Sequence, residues 1–145
     1  MKLQTTILFL CFGIFLGFAQ KRQSKEKIKK LKIAYFTENL NFTEEEAQQF
    51  WPIYNAYDDK NFELRVVGQN KIKRELKNME NMSEAQAAEL LNRFETIEKQ
   101  IHENNMDLIK KLKTFLSAKK IILLKKAERD FNRKLMKEFR KRRRQ

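Results

Sequence analysis

The polar side chains with the most informative spacing in this sequence belong to helix starts rather than to catalytic sites. Thr43 precedes Glu46 by three residues, and Ser83 precedes Gln86 by the same interval. The hydroxyl of such a pair accepts an N–H of the first helical turn, and the carboxylate or amide accepts the N–H of the hydroxyl residue. Ser117 stands at a third start of this kind. We therefore predict that these five residues are structural helix caps.

Catalytic and metal-binding chemistry has no comparable pattern to support it. His102 is the only histidine and Cys11 the only cysteine, and neither stands in metal-ligand spacing with a second ligand. The sequence contains no Gly-rich phosphate loop and no nucleophile–base constellation. We therefore expect a protein that is not an enzyme, with no catalytic residues, no cofactor and no metal ion.

Residues 1–19 have the pattern of a secretory signal peptide. Lys2 supplies the positive start, Ile7–Phe18 is an apolar segment too short to span a bilayer stably, and Gly17-Phe18-Ala19 is a small-x-small cleavage pattern. We expect export to the periplasm and cleavage after Ala19, which leaves a mature chain without cysteine. An N-terminal membrane anchor that is not cleaved is the alternative.

The rest of the chain has the composition of a helical protein. Between residues 20 and 145 it holds one glycine, Gly68, and one proline, Pro52, and it has no alternating β-branched runs. We predict an all-α fold, a single helical domain over residues 20–139, and a bend at Pro52. The four predicted helices cover residues 24–40, 43–78, 83–114 and the chain from 117 onward. A turn is predicted over Asn78–Met82.

The apolar positions of these helices predict both a core and a polar network. Phe50, Trp51, Tyr54 and Tyr57 form the densest apolar patch of the mature chain. On a uniform helical wheel the sector predicted to pack contains Phe50, Tyr54, Tyr57, Leu64, Ile72, Leu76 and Met79. The helix of about 35 residues that contains them would be roughly 50 Å long, so we expect an elongated fold. Charged residues also fall on the packing faces of the helices, and burial of a charge requires a partner. Asp58, Asn61 and Arg65 of the second helix form either a hydrogen-bonded network or the rim of an open groove. The predicted polar network consists of Asp58, Arg65 and Glu128.

The first helix is apolar on two sides. Ile28, Leu31 and Tyr35 share one side, whereas Ile33, Phe36 and Leu40 share roughly the opposite one. A helix with two apolar sides usually packs on two partners, so one side could face the rest of the chain and the other a second subunit. A single buried face with a frayed end explains the pattern equally well.

Charge is concentrated at the two ends of the chain. The whole sequence has a net charge of +13. Residues 21–32 carry +6, residues 125–145 carry +8, and residues 33–124 carry −2. A run of like charges repels itself, so residues 140–145 are predicted to be a disordered tail. Its basic residues are candidates for contact with an acidic client or with a membrane: Arg140, Lys141, Arg142, Arg143 and Arg144.

Two helix starts carry a resemblance to a known family. Residues 40–46 (Leu-Asn-Phe-Thr-Glu-Glu-Glu) and 115–120 (Phe-Leu-Ser-Ala-Lys-Lys) are similar to the twice-repeated Leu-Thr-x-x-Gln pattern of the Spy/CpxP family of periplasmic stress proteins. Glu46 and Lys120 stand where the pattern has glutamine, and Ser117 replaces threonine. Residues 50–54 (Phe-Trp-Pro-Ile-Tyr) and 117–133 resemble the Bacteroidetes branch labelled sensor of an ECF-type sigma factor.

The resemblance implies both a fold and a function. The implied fold is a bent four-helix hairpin that forms an antiparallel homodimer, with a shallow cradle between the subunits. The implied activity is ATP-independent binding of non-native envelope proteins, or signalling of stress to a regulator. The alternative is a basic helical protein that binds an anionic membrane surface or nucleic acid. An exported protein rarely meets nucleic acid, so that partner is the least expected.

Overall fold

The computed structural model describes residues 25–144, and this part of the chain is all-α, as predicted. The α-helices are α1 (residues 25–40), α2 (Glu44–Phe62), α3 (Gln69–Glu75), α4 (Glu84–Leu112) and α5 (Ala118–Arg142). Six residues of π-helix, Glu63–Gly68, connect α2 to α3, and a 3₁₀ segment, Leu76–Asn81, follows α3. Residues 25–144 contain no β-strand.

The N-terminal predictions lie outside the described residues. They are the signal peptide of residues 1–19, cleavage after Ala19, and the start of the first helix at Ser24. Between residues 25 and 144, no helix combines the length and the apolar character needed to cross a membrane.

The described chain forms two compact units. The first unit contains α1 with Asn41 and the part of α5 from Leu123 onward, and the second unit is Phe42–Ile122. The prediction that residues 20–139 fold as a single domain concerns how the two units fold together, and it stays a prediction.

Aromatic side chains on α2 form the centre of the second unit. Phe50 is fully buried and stacks on Tyr54, with ring centroids 5.1 Å apart and planes inclined by 19°. Phe42 packs against Phe50 at 4.5 Å, and Tyr54 packs against Tyr57 at 5.6 Å. Aromatic pairs at these separations contribute beyond their buried area. The predicted apolar patch is therefore a packing centre.

The helix predicted over residues 43–78 is interrupted after Phe62. In the π-helical segment each N–H pairs with the carbonyl five residues back, so a turn holds more residues than in an α-helix. Side chains after the segment are therefore rotated relative to a uniform α-helix. The uniform helix grouped Leu76 and Met79 with the buried Phe50, but they are 47% and 61% exposed.

A close helix contact accompanies the π-helical segment. A β-carbon at Gly68 would lie 3.0 Å from the Cδ1 atom of Ile97 on α4. Glycine at this position therefore allows the segment to approach α4 closely. The turn predicted over Asn78–Met82 is also different in the structure, because the 3₁₀ segment extends to Asn81 around a non-helical Asn78 with φ −105° and ψ 18°.

The first unit is held by aromatic packing between α1 and α5. The ring of Phe131 lies 5.8 Å from Tyr35 and 6.4 Å from Phe36, which is fully buried. The ammonium of Lys134 lies 4.6 Å from the centre of the Tyr35 ring, a cation–π contact. Leu31 on α1 is 51% exposed, so the side of α1 that carries Phe36 is the more deeply buried one.

The basic end of the chain begins as a helix rather than as a disordered tail. Helix α5 continues through Arg142, so the prediction of disorder is wrong for residues 140–142. The Glu138 carboxylate pairs with Lys141 at 3.4 Å, and the N–H of Arg143 donates to the carbonyl of Phe139 at 3.3 Å. Cations at a helix C-terminus are also stabilised by the helix dipole, which offsets their mutual repulsion.

Candidate protein-binding groove

The predicted caps at two helix starts are complete capping boxes. The Thr43 hydroxyl accepts the N–H of Glu46 at 3.2 Å, and the Glu46 carboxylate accepts the N–H of Thr43 at 2.8 Å. At the start of α4 the Ser83 hydroxyl accepts the N–H of Gln86 at 3.3 Å, and the Gln86 amide oxygen accepts the N–H of Ser83 at 2.9 Å. These side chains therefore cap the N-termini of α2 and α4, as predicted.

The two helix starts that carry the family resemblance meet in the structure. Ser117 accepts the N–H of Lys120 at 3.3 Å, which confirms the third cap. The Lys120 ammonium forms an ion pair with the Glu46 carboxylate and lies 5.9 Å from the ring centre of Phe42. Hydrogen bonds from Lys120 and from the Thr43 backbone lower the pKa of Glu46. The two residues that replace glutamine in the pattern therefore carry opposite charges and pair.

The members of the predicted polar network have different partners. The Arg65 side chain is exposed, and its Nε donates to the Asn61 side chain at 2.9 Å. Glu128 belongs to the first unit and pairs with Lys125 at 3.1 Å. Asp58 is half-buried on α2. A network that joins Asp58, Arg65 and Glu128 stays a prediction.

The polar contacts between α2 and α4 were not predicted from the sequence. The Tyr57 hydroxyl donates to the Asn105 side chain at 3.2 Å, and the Asn104 side chain donates to the Tyr57 carbonyl at 3.2 Å. Both asparagines lie beside the apolar face of α4. The only feature of the sequence that could have predicted these contacts is the pair of adjacent asparagines.

An exposed apolar groove of the second unit lies between α3, the 3₁₀ segment and α4. We call it the α3–α4 groove. It has a volume of about 190 Å³. Four of its side chains are large, apolar and about half exposed: Leu76 at 47%, Met79 at 61%, Leu91 at 56% and Phe94 at 45%. The groove is lined by Ile72, Leu76, Met79, Met82, Ala87, Leu90, Leu91 and Phe94.

Polar contacts hold the two walls of the groove together. The Arg93 guanidinium on α4 makes two hydrogen bonds to the Glu75 carboxylate at the end of α3, one of them at 3.0 Å from Nη1 to Oε1. Gln69 at the start of α3 donates to Glu98 at 2.8 Å. The Arg93 contact lowers the pKa of Glu75, and the same contact raises the pKa of Arg93. Both groups are therefore held in their charged forms.

The chemistry of the α3–α4 groove suits loose binding of apolar side chains. Methionine is flexible and polarisable, so it adapts to ligands of different shapes. An exposed apolar surface bordered by polar residues is typical of a protein interaction site. The groove was not predicted from the sequence, because a uniform helix over residues 43–78 places Leu76 and Met79 on the face that packs in the core. The neighbouring Met79 and Met82, on either side of a helix end, were the available signal.

A cluster of metal ligands is absent from the described residues. Among residues 25–144, no group of three or more His, Cys, Asp and Glu side chains could hold a metal ion. What the fold and site define is an all-α protein with an exposed apolar groove and a basic helical end. No protein-family model, curated protein or solved structure matches the chain.

Proposed function

We propose that this protein is exported and binds non-native proteins without ATP, as part of an envelope-stress response. It acts either as a chaperone or as a stress sensor for an ECF-type sigma factor system. The observation that carries the proposal is the α3–α4 groove, in which four large apolar side chains are about half exposed. A homodimer that covers the side of α1 on which Leu31 is 51% exposed is part of the proposal.

The size and composition of the groove favour a non-native ligand. A volume of about 190 Å³ accommodates a few apolar side chains rather than a folded partner. Folded proteins bury most of such side chains, whereas non-native chains expose them. Since the sequence has no nucleotide-binding loop, the proposed binding is passive and depends on affinity alone.

The groove is tested by removing two of its apolar side chains from exposed positions. We expect the double variant Leu91→Ser with Phe94→Ser to need about tenfold more protein to suppress aggregation of a denatured test protein. The matched control is Met106→Ser with Ile122→Ser, which removes side chains that are 52% and 69% exposed outside the groove lining. Light scattering of the test protein measures suppression, and circular dichroism verifies that each variant is folded.

The results of the aggregation assay test the groove, the chaperone activity and the basic end separately. Equal loss in the groove variant and the control variant would show that general surface hydrophobicity, not the groove, is responsible. Absence of suppression by the unmodified protein, at low and at high salt, would contradict the chaperone reading and leave a sensor of one partner. Deletion of Arg140–Arg144 is expected to weaken suppression of acidic clients without abolishing it, because the apolar groove remains.

Export has a separate test. We expect the intact mass of protein isolated from the periplasm of its native host to correspond to a chain that begins at Gln20. The basis is the n-region, apolar segment and Gly17-Phe18-Ala19 pattern of the sequence. A full-length chain that starts at Met1 in the cytoplasm would contradict the export proposal and favour nucleic acid as the partner of the basic end.

A further inference from the structure

The net positive charge of the described protein resides in the first unit. Residues 25–41 and 123–144 hold sixteen Lys and Arg residues and five Asp and Glu residues, a net charge of +11. Residues 42–122 have a net charge of −1. The division of the chain into two compact units is thus also a division of charge. The first unit has a strong electrostatic preference for an anionic partner.

One side of α5 combines this charge with exposed apolar side chains. Four residues of α5 and the residue that follows its end recur there at alternating intervals of three and four. We call them the α5 stripe: Arg129, Asn132, Met136, Phe139 and Arg143. All five are exposed, and at the centre of the stripe Met136 is 53% and Phe139 40% exposed. The α5 stripe is therefore an amphipathic pattern with arginine at its ends and apolar residues in its middle.

The acidic residues of this half of α5 do not neutralise the stripe. Glu128 pairs with Lys125 at 3.1 Å, Asp130 with Lys126 at 3.1 Å and Arg133 at 2.8 Å, and Glu138 with Lys141 at 3.4 Å. Within residues 25–144, the side chains of Arg129 and Arg143 form no ion pair. Their guanidinium groups keep their hydrogen-bonding capacity for an external anion.

We propose that the α5 stripe binds the surface of an anionic lipid bilayer. Arg129 and Arg143 contact lipid phosphates, for which the planar guanidinium is well suited. Met136 and Phe139 enter the boundary between headgroups and acyl chains, as the apolar residues of interfacial helices do. The helix lies on the membrane and does not cross it. This inference is independent of the α3–α4 groove, which belongs to the second unit.

The composition of the stripe favours lipid over other anionic or apolar partners. The phosphate backbone of a nucleic-acid duplex would contact the arginines but would leave Met136 and Phe139 without an apolar partner. A second copy of the helix in antiparallel alignment would place Arg129 opposite Arg143, and like charges repel. A bilayer with anionic headgroups supplies both phosphates and an apolar interior.

Vesicle flotation tests the proposal on the purified full chain. The probes are vesicles of phosphatidylcholine alone and vesicles of phosphatidylcholine mixed with phosphatidylglycerol. We expect binding to the mixed vesicles only, weakened but not abolished by salt. Met136→Ser with Phe139→Ser is expected to lower partitioning about tenfold, and Arg129→Gln with Arg143→Gln by a similar factor.

Matched variants in the second unit serve as controls. Met106→Ser with Ile122→Ser removes two exposed apolar side chains outside the α3–α4 groove, and Lys110→Gln with Lys113→Gln removes two exposed charges. We expect both controls to partition within about twofold of the unmodified protein. Neither control changes a residue of the groove, so lipid binding and client binding are tested by separate variants.

Three results would overturn the inference. They are equal binding to neutral and anionic vesicles, unchanged partitioning of the Met136→Ser and Phe139→Ser variant, and tighter binding to a duplex DNA probe than to anionic vesicles at the same salt. The second of these would mean that the charge of the first unit acts without the stripe. Circular dichroism of each variant must match the unmodified protein before its partitioning is compared.

Discussion

Replacement of Phe50 by alanine is expected to lower the free energy of unfolding by about 3–5 kcal/mol. Phe50 is fully buried and contacts the rings of Phe42, Trp51 and Tyr54 at centroid distances of 4.5, 5.0 and 5.1 Å. Alanine removes these contacts and leaves a cavity that the surrounding helices can only partly fill. Urea unfolding followed by circular dichroism measures the change.

Phe94→Ala is the matched control, because it removes the same atoms from a side chain that is 45% exposed. Its effect on the free energy of unfolding should be about 1 kcal/mol or less. Client binding should show the opposite ranking, since Phe94 lines the α3–α4 groove and Phe50 does not. Equal destabilisation by the two variants would show that Phe50 is not the packing centre of its unit.

The features that the sequence predicted well are local ones. A capping box requires only two side chains three residues apart, so Thr43 with Glu46 and Ser83 with Gln86 could be recognised without tertiary information. The aromatic centre could be recognised for the same reason, because Phe50, Tyr54 and Tyr57 recur at helical intervals. The all-α class follows from the scarcity of glycine and proline.

The features that the sequence predicted wrongly depend on tertiary contacts. Nothing in the residue types of Glu63–Gly68 distinguishes a π-helical turn from an α-helical one. The close approach of Gly68 to Ile97 joins residues that are distant in sequence. A uniform helical period continued through this segment still places Ile72 correctly among the buried residues, but it also places Leu76 and Met79 there, and these two are exposed. Both lie in the 3₁₀ segment, where the α-helical period no longer holds.

The candidate site was therefore only partly predictable. The two basic ends were evident from the sequence, but their membership of one compact unit became visible only in the structure. The pairing of Glu46 with Lys120 also required the structure, since the two residues belong to separate helix starts. The sequence identified both residues as differences from the Leu-Thr-x-x-Gln pattern that the helix starts resemble, and the structure shows that the two residues form an ion pair.

Acidification is expected to destabilise the protein strongly. The Lys120 contact lowers the pKa of Glu46, the Arg93 contact lowers the pKa of Glu75, and the Lys126 contact lowers the pKa of Asp130. In the unfolded chain these groups return to their ordinary values of 4.5 for Glu and 3.8 for Asp. Their stabilisation is therefore present above these values and is lost as the pH falls through the lower pKa values of the folded protein.

Protonation of the carboxylates also destabilises the folded protein through repulsion among the remaining positive charges. The chain holds 32 Lys and Arg residues against 19 Asp and Glu residues, so protonation of the carboxylates leaves a large uncompensated positive charge. Self-repulsion of this kind favours the expanded chain. Thermal unfolding by circular dichroism, at about pH 7 and about pH 3, should show a clearly lower midpoint at the acidic pH.

Glu46→Gln isolates the contribution of one ion pair. The amide of glutamine can still accept the N–H of Thr43, as Gln86 accepts the N–H of Ser83 in the second capping box, so only the charge toward Lys120 is removed. The variant should be less stable than the unmodified protein at about pH 7, and the difference should shrink at about pH 3. Glu45→Gln is the control, because Glu45 lies in the same first turn and has no ion pair within residues 25–144. An unchanged difference between Glu46→Gln and the unmodified protein at the two pH values would show that the Lys120 pair does not stabilise the junction of the two helix starts.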